Sequence, residues 1–423
     1  MPPGIEAGPA RTGGQRLTHV RVIDGLGGRP VDNGEVAFRD GMLTYVGPFR
    51  GDELSGADGG LPRRALPGFT VLPGFIDCHV HFAAGGIAPW QAGGMFASHF
   101  HLAAADNMRR TLEAGVTSAR DLAGVDSGFR DAARAGLLQA PRLSLAIGAI
   151  SPTGGHTDFV LPNGNTIPLA PRDLSTVADS DDEIRKVVRL LVRGGADVVK
   201  VCASGGITSS TSDPDHIGVP ERQLRIIVEE AALRGGLPVA AHAQGAEGVH
   251  AAVKAGVTSV EHGYAVRPDT LEAMIAQGTF LVPTLSAALS LPDPTTVPRY
   301  LWEKKKKWSG IARKHLTRAL RSGVKVAMGT DAGACPHGRN LAELGHLTDL
   351  GMSPMDAIVS GTRHAAELIG RSQHLGTLEA GKYADLVLTA CDPLADIKAL
   401  AYPTAVRMVV QGGSVVKDTT STP

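Results

Sequence analysis

Two hydrophobic periods alternate through the middle of this chain. Apolar runs (TVLPGFIDCHVHF, VTSARDL, RLSLAIGAI, ADVVKVCAS, LPVAAHAQG, VTSVEHG, TFLVPTL and VKVAMGTDAG) are separated by segments in which apolar residues recur every three to four positions, such as DDEIRKVVRLLVRGG, ERQLRIIVEEAALRGG and AEGVHAAVKAG. Eight strand candidates alternating with helices predict an α/β fold, a (β/α)8 TIM barrel over residues 72–374. Several of the helical segments end in glycine, as C-terminal caps do. The chain ends have a different texture. LTHVRVIDG, GEVAFRDG and MLTYVG near the start, and GTLEAGKYADLVLTA and AVRMVVQGGSVVKD near the finish, are β-like runs between glycine turns. Neither end holds enough strands for a stable sheet by itself. Residues 1–71 and 375–423 are therefore expected to build one small composite β-sandwich domain.

Composition narrows the partners. Lys plus Arg and Asp plus Glu each total 42 in 423 residues, so the formal net charge is zero. That argues against nucleic acid or an anionic membrane surface as a main partner and leaves a small-molecule substrate. The one dense basic cluster, EKKKKW at Glu303–Trp308, reads first as a solvated helix face and second as a mobile basic flap over an acidic substrate. Cys78, Cys202, Cys335 and Cys391 show no CxxC or disulfide-framework spacing, which fits a reducing compartment. The N-terminal MPPGIEAGPARTGGQRL has no apolar core of signal-peptide length, and no apolar run approaches membrane-spanning length, so a cytoplasmic location is expected.

Chemistry enters through the polar residues at the ends of the strand candidates, where active-site groups of such a barrel sit. In FIDCHVHF, His79 and His81 are two apart on a strand and face the same side, so both imidazoles can reach one cation. Lys200 closes the apolar ADVVKVCAS run, where a lone ammonium is costly to bury. It either snorkels or pairs with a carboxylate, or is a lysine of lowered pKa that reacts with carbon dioxide to give an anionic carbamate. His242 and His262 each end a strand candidate, and Asp331 in GTDAG is either a helix N-cap or a ligand and general base. Each residue alone reads as readily as a core or capping group. Six in order at strand ends suit Zn²⁺ or a similar divalent ion. His99 and His101 are also two apart, but MFASHFHLAAADNMRR reads as a helix on which they diverge, so they are structural. GxSxG and GxxxxGK[ST] are absent, and no nucleophilic side chain stands out.

The order HVH, strand-end Lys, two single His and GTDAG resembles the amidohydrolase superfamily, in particular its imidazolonepropionase-related and prolidase-like branch, which includes Xaa-Pro-type dipeptidases and bacterial ochratoxin-degrading amidohydrolases. The most specific pieces are LPGFIDCHVHF, VKVCASGG, AAHAQGAEGVHAAVKAGVTSVEHG and GTDAG, with SPMDAIVSGTRHAAELIG and GTLEAGKYADLVL in support. The resemblance implies a binuclear site: His79, His81 and Asp331 on one metal, His242 and His262 on the other, and carboxylated Lys200 bridging them with a hydroxide. It implies hydrolysis of a C–N amide bond, of a dipeptide or N-acyl amino acid, with Asp331 as proton shuttle. It also implies a homo-oligomer. His156 in SPTGGHTD resembles a substrate-contacting histidine; Tyr264 and His337 are further substrate-facing candidates. A cyclic amide, urea or aryl-amide xenobiotic is the alternative substrate class, and a non-catalytic scaffold the alternative role.

Overall fold

The computed structural model describes residues 13–84, 96–160, 166–167 and 174–421; the first twelve residues of the expected β domain lie outside them. Short parallel strands carry the larger domain. Phe75–Val80, Val116–Asp121 and Arg142–Leu145 form one parallel sheet. Ala149–Ile150, Val199–Cys202, Val239–Ala243, Ser259–His262 and Phe280–Val282 form a second. Their residues are buried on both faces, which is why these strands read as continuous apolar runs rather than alternating ones.

The eighth strand candidate differs from expectation. Residues 325–331 form no regular strand and join their neighbours by isolated contacts. Leu281 N donates to Lys325 O at 2.8 Å, Cys78 N to Met328 O at 2.9 Å, and Asp331 N to His79 O at 2.8 Å. The chain is pressed between two strands here: a Cβ on Gly329 would lie 2.4 Å from Val282 and 2.9 Å from His79. On the opposite side, Asp197 N donates to Leu145 O at 2.7 Å across the gap between the two sheets. These bonds link the two sheets in the order of a (β/α)8 arrangement.

The intervening helices bury the faces their periodicity marks. Asp181–Arg193 starts with a reciprocal capping box between Ser180 and Glu183 and buries Ile184, Val187, Val188 and Leu191. Ala246–Ala255 stops at Gly256, whose φ of 85° is the left-handed cap that glycine adopts without a Cβ penalty.

Both chain ends enter one eight-stranded sheet. Its order places Ser414–Asp418, Val406–Gln411 and Leu386–Thr389 beside Thr70–Pro73, then Gly14–Val22, Val31–Arg39 and Met42–Pro48, with Arg63–Ala65 on Gly14–Val22. The N- and C-terminal halves meet where Val387 pairs with Leu72. The sheet curls on itself: the Gly41 turn of one edge hairpin abuts the Gly412–Gly413 turn of the other. It encloses a separate core of Leu17, Val36, Phe38, Leu386, Leu388 and Met408 among others. A buried Arg142–Asp385 ion pair at 3.0 Å ties it to the barrel.

Candidate metal centre and active site

Five imidazoles form a chain of ring contacts at the C-terminal ends of the barrel strands. Ring centroids are 5.3 Å apart for His81 and His79, 5.0 Å for His79 and His262, 4.6 Å for His262 and His242, and 4.0 Å for the stacked pair His242 and His156. Asp331 Oδ1 lies 3.5 Å from His79 Nε2 and 3.4 Å from His81 Nε2. One ligand atom each from His79, His262 and Asp331 falls within a mutual 4.8 Å.

Each strand-end histidine spends one ring nitrogen on the scaffold. His79 Nδ1 donates to Glu261 Oε2 at 2.8 Å, His81 Nδ1 to Ala123 O at 3.0 Å and His242 Nε2 to Gly205 O at 3.0 Å, while His262 Nδ1 lies 2.8 Å from Thr284 Oγ1, a hydroxyl that can accept or donate. A carbonyl or carboxylate acceptor requires N–H on that nitrogen, which leaves a lone pair on the other. Burial pushes His81 down to about 4 and holds His79, His242 and His262 well below the usual imidazole range. The four rings are thus neutral and oriented, and the carbonyl and carboxylate partners leave a lone pair free on the outer nitrogen of His79, His81 and His242, as metal-ligating histidines require.

Lys200 adds the least ordinary feature. Its Nζ is buried and has no hydrogen-bond partner among the described residues, and burial lowers its pKa. An orphaned amine among neutral imidazoles is costly as an ammonium and favoured as a free base. Burial also raises Asp331, to about 6. His262, Thr284 and Asp331 have positive φ values of 72°, 50° and 58°, a conformation uncommon for non-glycine residues and typical of functional sites. The donor set therefore fits divalent cations: neutral imidazoles with lone pairs, a carboxylate and an uncompensated amine.

Residues that sequence reasoning passed over hold this arrangement. Glu261, fully buried, accepts from His79, from Arg120 Nη2 at 2.8 Å and from Ser259 Oγ at 2.5 Å. Asp77 accepts from Thr330 Oγ1 at 2.6 Å and Asn340 Nδ2 at 2.8 Å, and also from the backbone N–H of His79 and of Thr330. It thereby braces the two segments that carry His79 and Asp331. Burial lifts it to about 6. The available signal was a charge inside an apolar strand: Glu261 sits in VTSVEHG, and Arg120 in VTSARDL faces the opposite side of the strand from its neighbour Asp121, so each demands a partner across the barrel.

Other candidates fall differently. His156 reaches the cluster because Gly206 leaves room; a Cβ there would lie 2.1 Å from its ring. Its Nδ1 is buried with no partner among the described residues, and burial drops it to about 3. Tyr264 is 2% exposed, and its hydroxyl lies 3.3 Å from Thr284 Oγ1, so it belongs to the wall behind His262. His337 is not a mouth-facing residue. Its Nε2 is held by the carbonyls of His81 and Ala84 at 3.2 and 3.1 Å, its Nδ1 lies 3.4 Å from Thr111 Oγ1, and its ring stacks on Phe82. Spending both nitrogens on the scaffold makes it a clamp on the His81 loop. His99 and His101 lie exposed on helix Ala97–Glu113. The basic run lies on helix Arg299–Leu320 and is only half solvated: Lys306 and Lys307 are exposed, while Lys304 and Lys305 turn inward. No helix among the described residues is long and apolar enough to cross a membrane.

The chain is similar to known proteins over most of its length. The amidohydrolase family profile matches residues 70–416. The ochratoxinase of Aspergillus niger is 32% identical over 416 residues, covering 92% of this chain and 84% of that protein. A Xaa-Pro dipeptidase crystallised with methionine in its active site superposes with a TM-score of 0.86 at 28% identity, covering 95% of this chain and 99% of that one. A prolidase complexed with N-methylphosphonate-L-proline gives 0.86 at 29% identity, with 96% and 100% covered. With its barrel, its strand-end ligand types and a family match over most of its length, the chain belongs to the amidohydrolase family and is a hydrolase of carbon–nitrogen bonds.

Proposed function

We propose that this enzyme hydrolyses the amide bond of a dipeptide or N-acyl amino acid with two divalent cations, Zn²⁺ being the natural choice for these donors. The observation that carries the reading is the orphaned, buried Lys200 Nζ inside a ring of oriented neutral histidines. His79, His81 and Asp331 would hold one cation and His242 and His262 the second, with Lys200, carboxylated by carbon dioxide, between them. Bound there, the cations supply acidification of water and polarisation of the scissile carbonyl.

The chain's own residues do the rest. Asp331, lifted to about 6, accepts a proton from the attacking water on its carboxylate and returns it to the leaving nitrogen. His156, neutral and stacked against His242, offers a hydrogen bond to the developing oxyanion. Thr284 and Tyr264 fix the rotamer of His262. Amino-acid-derived ligands in two related structures, methionine and N-methylphosphonate-L-proline, favour a substrate with an amino-acid half.

Metal analysis and a panel of dipeptides, acyl-amino acids, cyclic amides and aryl ureas test this together. The expected result is about two divalent ions per chain, turnover on acyl-amino acids or dipeptides, and loss of both in His79→Ala. Metal-free, inactive protein would mean a scaffold, and turnover confined to cyclic amides or ureas would displace the substrate class. A subtler expectation concerns Glu261→Gln, which removes the carboxylate that orients His79. Metal titration should show affinity weakened roughly 10- to 100-fold; unchanged affinity would reduce Glu261 to a partner for Arg120 alone.

A further inference from the structure

The basic run has a placement that neither a solvated face nor a loose flap accounts for. On helix Arg299–Leu320, Lys305 shares a face with Trp308, Ala312 and Leu316, all buried, at the three- to four-residue spacing of one helix side. Lys304 Nζ is consumed by the carbonyls of Ser209 at 2.9 Å and Ser212 at 2.5 Å. Ser309 Oγ donates to Ala288 O. The helix is thereby held against two loops that build the metal centre: the one whose Gly205 carbonyl orients His242, and the one whose Thr284 hydroxyl orients His262.

Lys305 lies between them, partly buried, and donates to Ala287 O. That carbonyl is its one hydrogen-bond acceptor among the described residues, and it forms no ion pair there, whereas the outer Lys307 pairs with Asp215 at 3.3 Å. An ammonium has three donors, so two remain open. It stands within electrostatic reach of Asp331 and Cys335, on the loop that carries the proposed proton shuttle. Asp331 attracts it from a distance but forms no direct ion pair with it, and Asp331 Oδ1 lies against His79 and His81. Burial lowers the pKa of Lys305, so an amine placed there, held by a neutral carbonyl and without a direct ion pair among the described residues, is stabilised as ammonium by an anionic ligand.

We infer that Lys305 receives the free carboxylate of the substrate, so that the enzyme selects amides of amino acids over neutral amides. The inference rests on the amide-hydrolase reading above. On it, carbonyl contacts hold the ammonium in place before substrate arrives, and the carboxylate completes its coordination while the amide bond lies over the metal centre.

Calorimetric binding of N-acetylmethionine and of N-acetylmethioninamide to metal-loaded wild type, Lys305→Gln and Lys305→Arg tests it, with turnover of both compounds measured in parallel. Lys305→Gln can still donate to Ala287 O and loses only the charge. Wild type should favour the acid over the amide by roughly 10- to 100-fold, the scale of a charge-assisted hydrogen bond. Lys305→Gln should erase the preference with amide binding unchanged, and Lys305→Arg should largely keep it. A wild type without preference, or a Gln variant weakened equally on both compounds, would overturn the inference and make Lys305 a loop anchor. A wild type that prefers the acid yet cleaves neither compound would leave the Lys305 assignment standing and refute the proposed substrate class.

Discussion

Lys200→Ala is expected to lose turnover by on the order of 10³-fold, with partial recovery on adding acetate or propionate. Lys200 is 3% exposed, and its Nζ finds no partner among the described residues. An ammonium left so in a folded enzyme is destabilising, and desolvation displaces the equilibrium towards the neutral amine. A neutral amine adds to carbon dioxide, releasing a proton and leaving an anionic carbamate whose two oxygens can reach neighbouring cations. Truncation to alanine removes that anion and leaves a slot shaped for a short carboxylate, hence the chemical rescue. The strand itself should survive, because Val199, Val201 and Cys202 remain buried around it. Near-wild-type turnover of the alanine variant would discard the bridge. So would a crystal structure with unmodified Lys200 paired to a carboxylate.

For Asp331→Asn, a rate loss of roughly 10²- to 10⁴-fold is expected, with a native-like fold and largely retained metal. The asparagine keeps the shape and the 2.8 Å backbone bond to His79 O, but it cannot take up a proton at neutral pH. Burial, which lifts the aspartate to about 6, brings its proton affinity close to working conditions, where a group that must accept and then release a proton is most effective. If Asp331 only capped local backbone, the variant would lose about 1 kcal/mol of stability and little rate. Turnover, metal content and melting temperature measured on this one variant separate the two roles. An active Asp331→Asn enzyme removes the proton shuttle even where the metal centre stands.

Much of this was legible before any coordinates. The alternation of apolar runs and helical periods implied the barrel because each signal is local: a buried parallel strand is apolar throughout, and a surface helix is apolar on one side. The strand-end polar residues stood out for a similar reason, since His79, Lys200, His242, His262 and Asp331 are metal-ligand types at or near the ends of largely apolar runs. The composite β domain followed from a simple count, as neither end had strands enough to stand alone.

What the sequence by itself determined, then, is the kind of element at each position and the chemical types gathered at strand ends, because both follow from composition and period over a few residues. Only the tertiary structure decided how those groups are aimed and which of them are free. The Glu261 carboxylate that orients His79 is 182 positions away, and the Asp77 that braces Thr330 is 253. His337 sits in as polar a stretch as His156, yet backbone carbonyls claim its Nε2, while the Nδ1 of His156 has no partner among the described residues. Four consecutive lysines look alike in sequence, and a helical turn sends two outward and two against the loops of the metal centre. Desolvation and hydrogen bonding act through contacts that chain folding brings together, so the protonation, orientation and availability of these groups are properties of the assembled barrel and not of any segment within it.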